Sequence, residues 1–193
     1  MRVLLFSGHM VDRPDRSTPR FPARLVPAAR SALARQIDSL SVQASDLAVT
    51  GGASGGDLLF AEQCLARGLR LELFLPFQRE RFVETSVLPG GCEWLALFDS
   101  VVEHPRTTLH VGSPANDSED DAYVHCNLAM LERAIELAHG PIDLVCMWDG
   151  ESGDGPGGTE HMVNAVRVRG GRVHWVDTRT LDDSADQDHG DRP

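Results

Sequence analysis

Short apolar runs alternate with longer stretches of helical periodicity along this chain. Residues 2–6 (RVLLF) form an uninterrupted apolar run that stops at Ser7-Gly8-His9. A run of that length suits a strand buried on both faces of a parallel sheet. Residues 10–22 (MVDRPDRSTPRFP) hold three prolines and no periodicity, so they read as a loop. Residues 23–40 predict a helix: Leu25, Val26, Ala29, Leu33 and Ile37 recur at helical spacing, with Pro27 in the first turns. Residues 46–50 (DLAVT) predict the second strand, and a glycine-rich turn leads into a helix burying Leu58, Leu59, Cys64 and Leu65, with Gly68 as its cap. Residues 71–75 (LELFL) predict the third strand, closed by Pro76. Helical stretches follow around 78–87 and 92–98, then a short apolar pair at Val101-Val102.

Residues 104–121 show no such pattern and read as an irregular segment ending in the acidic run Asp117-Ser118-Glu119-Asp120-Asp121. Residues 122–138 predict a helix with Leu128, Leu131, Ala134, Ile135 and Ala138 in one stripe, and 142–147 (IDLVCM) a strand. A loop dense in glycine and acid runs from Trp148 to Gly158. A helix over 159–169 is ended by Gly170-Gly171, and 172–176 (RVHWV) is the last strand. Strands alternating with helices specify a single α/β domain over residues 1–177, Rossmann-like and three-layered, with an open, mostly parallel sheet. The remainder, 178–193, has five aspartates, two arginines and almost nothing apolar, and is expected to be a disordered acidic tail.

Composition narrows the function. The chain has 193 residues, 41% hydrophobic and 24% charged, as an ordinary globular protein does. No apolar run approaches the ~20 residues of a membrane span, and MRVLLFSGH is too short in its apolar core for a secretory signal. A cytoplasmic protein without a membrane partner is expected. Cys64, Cys92, Cys126 and Cys146 lie far apart, which indicates neither a disulfide framework, nor a zinc ribbon, nor any other metal site. All 18 basic residues are arginine. The absence of lysine removes P-loop, Schiff-base and pyridoxal-phosphate chemistry at once. A net charge of −11 argues against a nucleic-acid polymer, yet residues 1–35 alone carry +5, which suits a small anionic partner. A homo-oligomer is left open.

In sheets of this kind ligands sit outside the carboxyl ends of the strands. Three segments qualify: Ser7-Gly8-His9, the string Gly51-Gly52-Ala53-Ser54-Gly55-Gly56-Asp57, and the loop from Asp149 to Glu160, which Trp148 opens. Glycines there let backbone N–H groups approach a ligand, and each following helix N-terminus favours a phosphate. Arg13, Arg16 and Arg20 are candidate phosphate donors. Two motifs offer alternatives. Gly52-Ala53-Ser54-Gly55-Gly56 fits the G-x-S-x-G elbow of serine hydrolases, with Asp149 and His161 or His174 as partners. Gly153-x-Gly155-x-x-Gly158 fits a dinucleotide fingerprint, with Asp177 in the ribose-binding position.

Thr50-Gly51-Gly52-Ala53-Ser54-Gly55-Gly56-Asp57, preceded by the strand ending in Ser7-Gly8-His9 and followed by Glu62 and by Gly157-Gly158-Thr159-Glu160, resembles the SLOG superfamily over roughly residues 2–177. That superfamily includes the Lonely Guy phosphoribohydrolases and the DprA/Smf proteins. The resemblance implies that Gly51, Gly52, Gly55 and Gly56 cradle a phosphate or ribose, with Asp57 capping the helix and reaching sugar hydroxyls. It implies a second cradle at Gly157, Gly158 and Thr159. Asn127, in Tyr123-Val124-His125-Cys126-Asn127, resembles an Arg-Asn element at the head of a helix. The implied ligand is a nucleotide or ADP-ribose-like molecule, held by a sensor or carrier with no further cofactor. Lonely Guy enzymes carry P-G-G-x-G-T-x-x-E, and Pro156-Gly157-Gly158-Thr159-Glu160 is two residues shorter. An N-glycosidase using Glu160 or Glu62 is therefore the alternative, and a serine hydrolase using Ser54 the second.

Overall fold

The computed structural model describes residues 1–112, 118–151 and 158–182. Six strands form one sheet: β1 (Val3–Gly8), β2 (Leu47–Thr50), β3 (Arg70–Leu75), β4 (Thr107–Val111), β5 (Asp143–Trp148) and β6 (Arg172–Asp177). Their order is β4-β3-β2-β1-β5-β6, and every neighbouring pair is parallel. The chain builds outward from β1 to β4 and then returns to place β5 against the free side of β1. The direction of winding thus reverses between β1 and β5, where helices on opposite faces diverge and a crevice opens at the carboxyl ends.

Strand alternation sorts the core into two layers. Leu4, Phe6, Ala48, Leu73, Val145 and Met147 point to one face. There they meet α1 (Val26–Ser39), α2 (Gly56–Ala66) and α4 (Glu93–Val102), with Phe6 stacked on Phe60 at 4.7 Å. Val3, Leu5, Val49, Leu144 and Cys146 point to the other face, against α5 (Glu119–Leu137) and α6 (Thr159–Val168). Continuous apolar strands are what a sheet covered on both sides requires.

At the opposite rim the fully buried Asp143 accepts the Arg172 fork (2.7 and 2.7 Å), a 2.7 Å contact from His174 and a 3.4 Å ion pair from Arg2. These partners tie the starts of β1, β5 and β6 together.

Three expectations are corrected. The segment read as irregular contains β4, an edge strand, and Glu119, Asp120 and Asp121 of the acidic run form the first turn of α5, whose N-cap is Ser118. Val101 and Val102 are the last turn of α4. The stretch around 78–87 is helical as expected, a four-residue α3 (Arg79–Phe82) running directly into a wide five-residue helical turn (Val83–Val87). The tail begins with an ordered turn, Thr178–Thr180, in which Thr178 is buried and after which Leu181 packs on the core. Residues 183–193 lie outside the described residues.

Candidate functional site

The site forms where β1 ends. Gly8 is required by close approach: a Cβ there would stand 2.9 Å from the Met147 carbonyl and 2.8 Å from the Phe6 ring. His9 is buried and its polar groups are engaged. Its N–H donates to the Met147 carbonyl (2.9 Å), its carbonyl accepts from Gly56 N–H (3.0 Å), and its Nε2 accepts from Asp149 N–H (3.2 Å). The loop beyond is closed by Asp12, whose carboxylate accepts Arg20 and Phe21 N–H at 2.8 and 2.9 Å. Arg20 in turn forks onto Asp149 (2.9 and 3.4 Å). Burial works against the charge on Asp149, yet the Arg20 guanidinium and the Glu151 N–H together hold its carboxyl well below the usual range.

The loop after β2 divides into an open half and a closed half. Gly51, Gly52, Ala53 and Asp57 face a cleft of about 1210 Å³. Asp57 accepts the Ala53 N–H on Oδ2 at 3.2 Å and lies across Gly51, where a Cβ would be 2.6 Å from that oxygen. Burial pushes the Asp57 carboxyl up to about 7, the Ala53 N–H opposing. Ser54, Gly55 and Gly56 instead pack beneath the β1 loop. Gly55 adopts φ +113° and bridges to Met10, and a Cβ on it would fall 2.5 Å from Val11 N. The Gly56 amide, at the head of α2, is therefore spent on His9 rather than offered to a ligand. Ser54 is fully buried, and its Oγ has no partner among the described residues. The G-x-S-x-G string thus presents no exposed hydroxyl and no base beside it.

The third wall belongs to α6 and α5. Gly158 caps α6, and Thr159, in its first turn, accepts a 3.1 Å hydrogen bond from the Ser7 hydroxyl. That bond joins β1 to the second glycine segment. Gly158 and Thr159 at the start of α6 line the same cleft, and the first amides of a helix have no intrahelical acceptors. Arg13, Arg16 and Arg20 line the β1 end of the cleft. At the β3 end stand Phe74, Pro76, Phe82 and Tyr123. The Tyr123 hydroxyl is 2.5 Å from Ser86 Oγ and 3.3 Å from Thr85 Oγ1, both in the wide turn. Cys126 and Asn127 of α5 line the cleft between these ends; burial and the nearby Asp57 push the Cys126 thiol up to about 12. A second cavity of about 730 Å³ lies behind the β1 loop, with Arg16 and Arg20 shared between the two.

The cleft therefore unites Ser7, Gly8, His9, Gly51, Gly52, Ala53, Asp57, Asn127, Gly158 and Thr159 of the expected set. Other candidates lie elsewhere. Glu62 pairs with Arg30 between α2 and α1, and Glu160 is exposed on α6 outside the lining. Trp148 points away, its ring 6.3 Å from Trp175 and its indole N–H on the Glu151 carbonyl, because strand alternation turns it to the α6 face. Asn127 sits two turns inside α5 rather than at its head. Gly157, like Gly153 and Gly155 of the dinucleotide fingerprint, lies outside the described residues. Asp177 is engaged by Arg179 at 2.7 Å. The aromatic and hydroxyl wall was not anticipated from sequence. Tyr123 is the chain's one tyrosine and stands near a helix start, which was the available signal.

Among the described residues no cluster of three or more His, Cys, Asp or Glu could hold a metal. Nor is any helix among them long and apolar enough to cross a membrane. No protein-family model matches the chain, and no curated protein matches it.

Proposed function

We propose that the cleft binds a nucleotide or a nucleotide-derived, ADP-ribose-like molecule, and that the protein serves as a sensor or carrier of it. One observation carries this reading: the start of α6, the Gly51-Gly52 floor and three arginines of the β1 loop converge on a single cleft at the switch point of the sheet. Helix-start amides and arginine forks are the anion donors open to a chain without lysine. The opposite, aromatic end suits a planar base. The resemblance to SLOG domains points the same way.

Thermal-shift measurements against nucleoside mono-, di- and triphosphates and ADP-ribose test it. A true ligand stabilises the folded state by mass action, ~2.7 kcal/mol at a hundredfold excess over its dissociation constant. No shift with any of them at millimolar concentration overturns the proposal.

A second reading, cleavage of an N-glycosidic bond, is favoured by Asp57. Its carboxyl stands in the cleft and keeps its proton to about 7, as a general acid for base departure requires. In this reading Asp57 replaces Glu62 and Glu160, which lie outside the cleft. Release of free base from a bound nucleotide, abolished in Asp57→Asn, supports the enzyme; a nucleotide that binds and remains intact excludes it.

A further inference from the structure

The second cavity, about 730 Å³, lies between the β1 loop, the segment after β5 and the turn after β6. Its charged groups carry both signs, arginines as well as carboxylates, and most of them are already spent within the protein. Arg20 forks onto Asp149 and Arg179 onto Asp177. Arg24 and Asp182 are engaged as well.

Two charged groups of the wall keep open positions. Arg16 gives its Nε–H to the Thr18 carbonyl at 3.0 Å, with the Asp12 carboxylate 3.4 Å away. Its two Nη groups donate no hydrogen bond among the described residues. The Glu151 carboxylate accepts none there either, and its ion pair with Arg179 Nη1 is 3.9 Å long. Although they line one cavity, Arg16 and Glu151 do not pair with each other.

A buried group completes the wall. Thr178 lines the same cavity and is only 2% exposed, and its hydroxyl has no hydrogen-bond partner among the described residues. A buried hydroxyl left unpaired costs stability, so one at a cavity wall marks a place where a partner is supplied from outside the chain. Pro22, Leu25 and Leu181 give the cavity its apolar part.

Neither a simple anion nor a simple cation suits this wall. An anion satisfies Arg16 and Thr178 but meets Glu151, and a cation does the reverse. A molecule with both charges a few bonds apart on an apolar body satisfies all three groups.

We infer that this cavity binds a free aliphatic α-amino acid. The carboxylate takes the Arg16 Nη groups and the Thr178 hydroxyl, the ammonium group takes Glu151, and the side chain lies on Pro22, Leu25 and Leu181. The assignment is independent of what the main cleft holds. Hydrogen bonds to charged partners are each worth about tenfold in affinity or more.

The test is calorimetric titration of the full chain with valine, leucine and isoleucine, and with isocaproate and isoamylamine. The last two are leucine without its amino group and leucine without its carboxylate. Leucine should bind, and each of these analogues should bind about tenfold more weakly or worse. Failure of all three amino acids to bind at millimolar concentration overturns the assignment. So does isocaproate binding as tightly as leucine, which would make the cavity a plain anion site. Two variants locate the contacts. Glu151→Gln should weaken leucine about tenfold and leave isocaproate unchanged. Thr178→Val keeps the shape of the side chain and should weaken both, while the free protein melts no lower because no hydrogen bond is lost. Full leucine affinity in either variant overturns the assignment, and a lower melting temperature for Thr178→Val would show that the hydroxyl already has a partner and remove it from the site.

Discussion

Asp57 sets how the folded state responds to pH. Burial raises its carboxyl from 3.8 to about 7, so the folded chain holds this proton more tightly than the unfolded one. The contribution to stability is therefore fully present below the unfolded value, falls as pH rises from about 4 to about 7, and is level beyond. A tenfold change in proton affinity is worth about 1.4 kcal/mol, and solvent reaching the carboxyl through the cleft reduces the total. Asparagine mimics the neutral acid. Melting temperatures of Asp57→Asn should therefore gain on the wild type steadily between pH 4 and pH 7 and level off above, and a difference independent of pH would contradict a raised carboxyl.

Gly55 gives a steric counterpart. At φ +113°, with Val11 N 2.5 Å from a would-be Cβ, Gly55→Ala combines backbone strain with a collision that neither chain segment can relieve. A loss of about 3 kcal/mol in urea denaturation is expected there, against about 1 kcal/mol for Gly170→Ala, whose Cβ would meet open space at φ +73°. Similar losses at both positions would mean that φ alone explains the glycine.

At the scale of elements, legibility followed burial. β1, β2, β3 and β5 are read from continuous apolar runs because both of their faces are covered. β4 is an edge strand whose Thr107, Leu109 and His110 are only partly buried, so it carries no apolar run, and its β-branched residues were the one signal. The start of α5 was misplaced for a different reason. Asp120 and Asp121 read as a solvated loop, yet carboxylates are favoured in the first turn of a helix, and Ser118 three residues before Asp121 is a capping pair. The Ser118 hydroxyl accepts Asp121 N–H at 3.2 Å and donates to its carboxylate at 2.7 Å. Ser118→Ala should cost about 1 kcal/mol and reduce hydrogen-exchange protection in the first turn of α5, the turn leading to Tyr123. Undiminished protection would show that packing, not the cap, holds that end of the cleft.

At the scale of the whole molecule, the glycine-rich half of the site was legible and the aromatic half was not. Gly51, Gly52 and Asp57 are consecutive or nearly so. Phe74, Phe82, Ser86 and Tyr123 come from three separate segments that meet only because α5 returns across β3. Charge counting marked the arginine-rich start of the chain, but not the lock that positions it. Arg20, His9 and Asp149 join the loop after β1 to the end of β5, across the point where the winding reverses. Asp149 is not part of the cleft lining, yet it anchors the loop that carries Arg13 and Arg16 there.

Asp149→Asn should therefore act twice. Removing one partner from a pair exposed by only 14% and 8% leaves the Arg20 charge poorly compensated, at a cost of about 3 kcal/mol at neutral pH. Because the Asp149 carboxyl is depressed in the folded state, its contribution is complete above the ordinary carboxylate range and is lost as the pH falls into strong acid. The gap between wild type and variant should accordingly narrow in acid, the reverse of the trend at Asp57. The same substitution should weaken nucleotide binding, although it removes no atom from the cleft, because the loop and its arginines lose their anchor. Urea denaturation from pH 3 to pH 7 together with nucleotide titration at pH 7 separates the two effects. Full affinity in a destabilised variant would show that the lock serves folding alone.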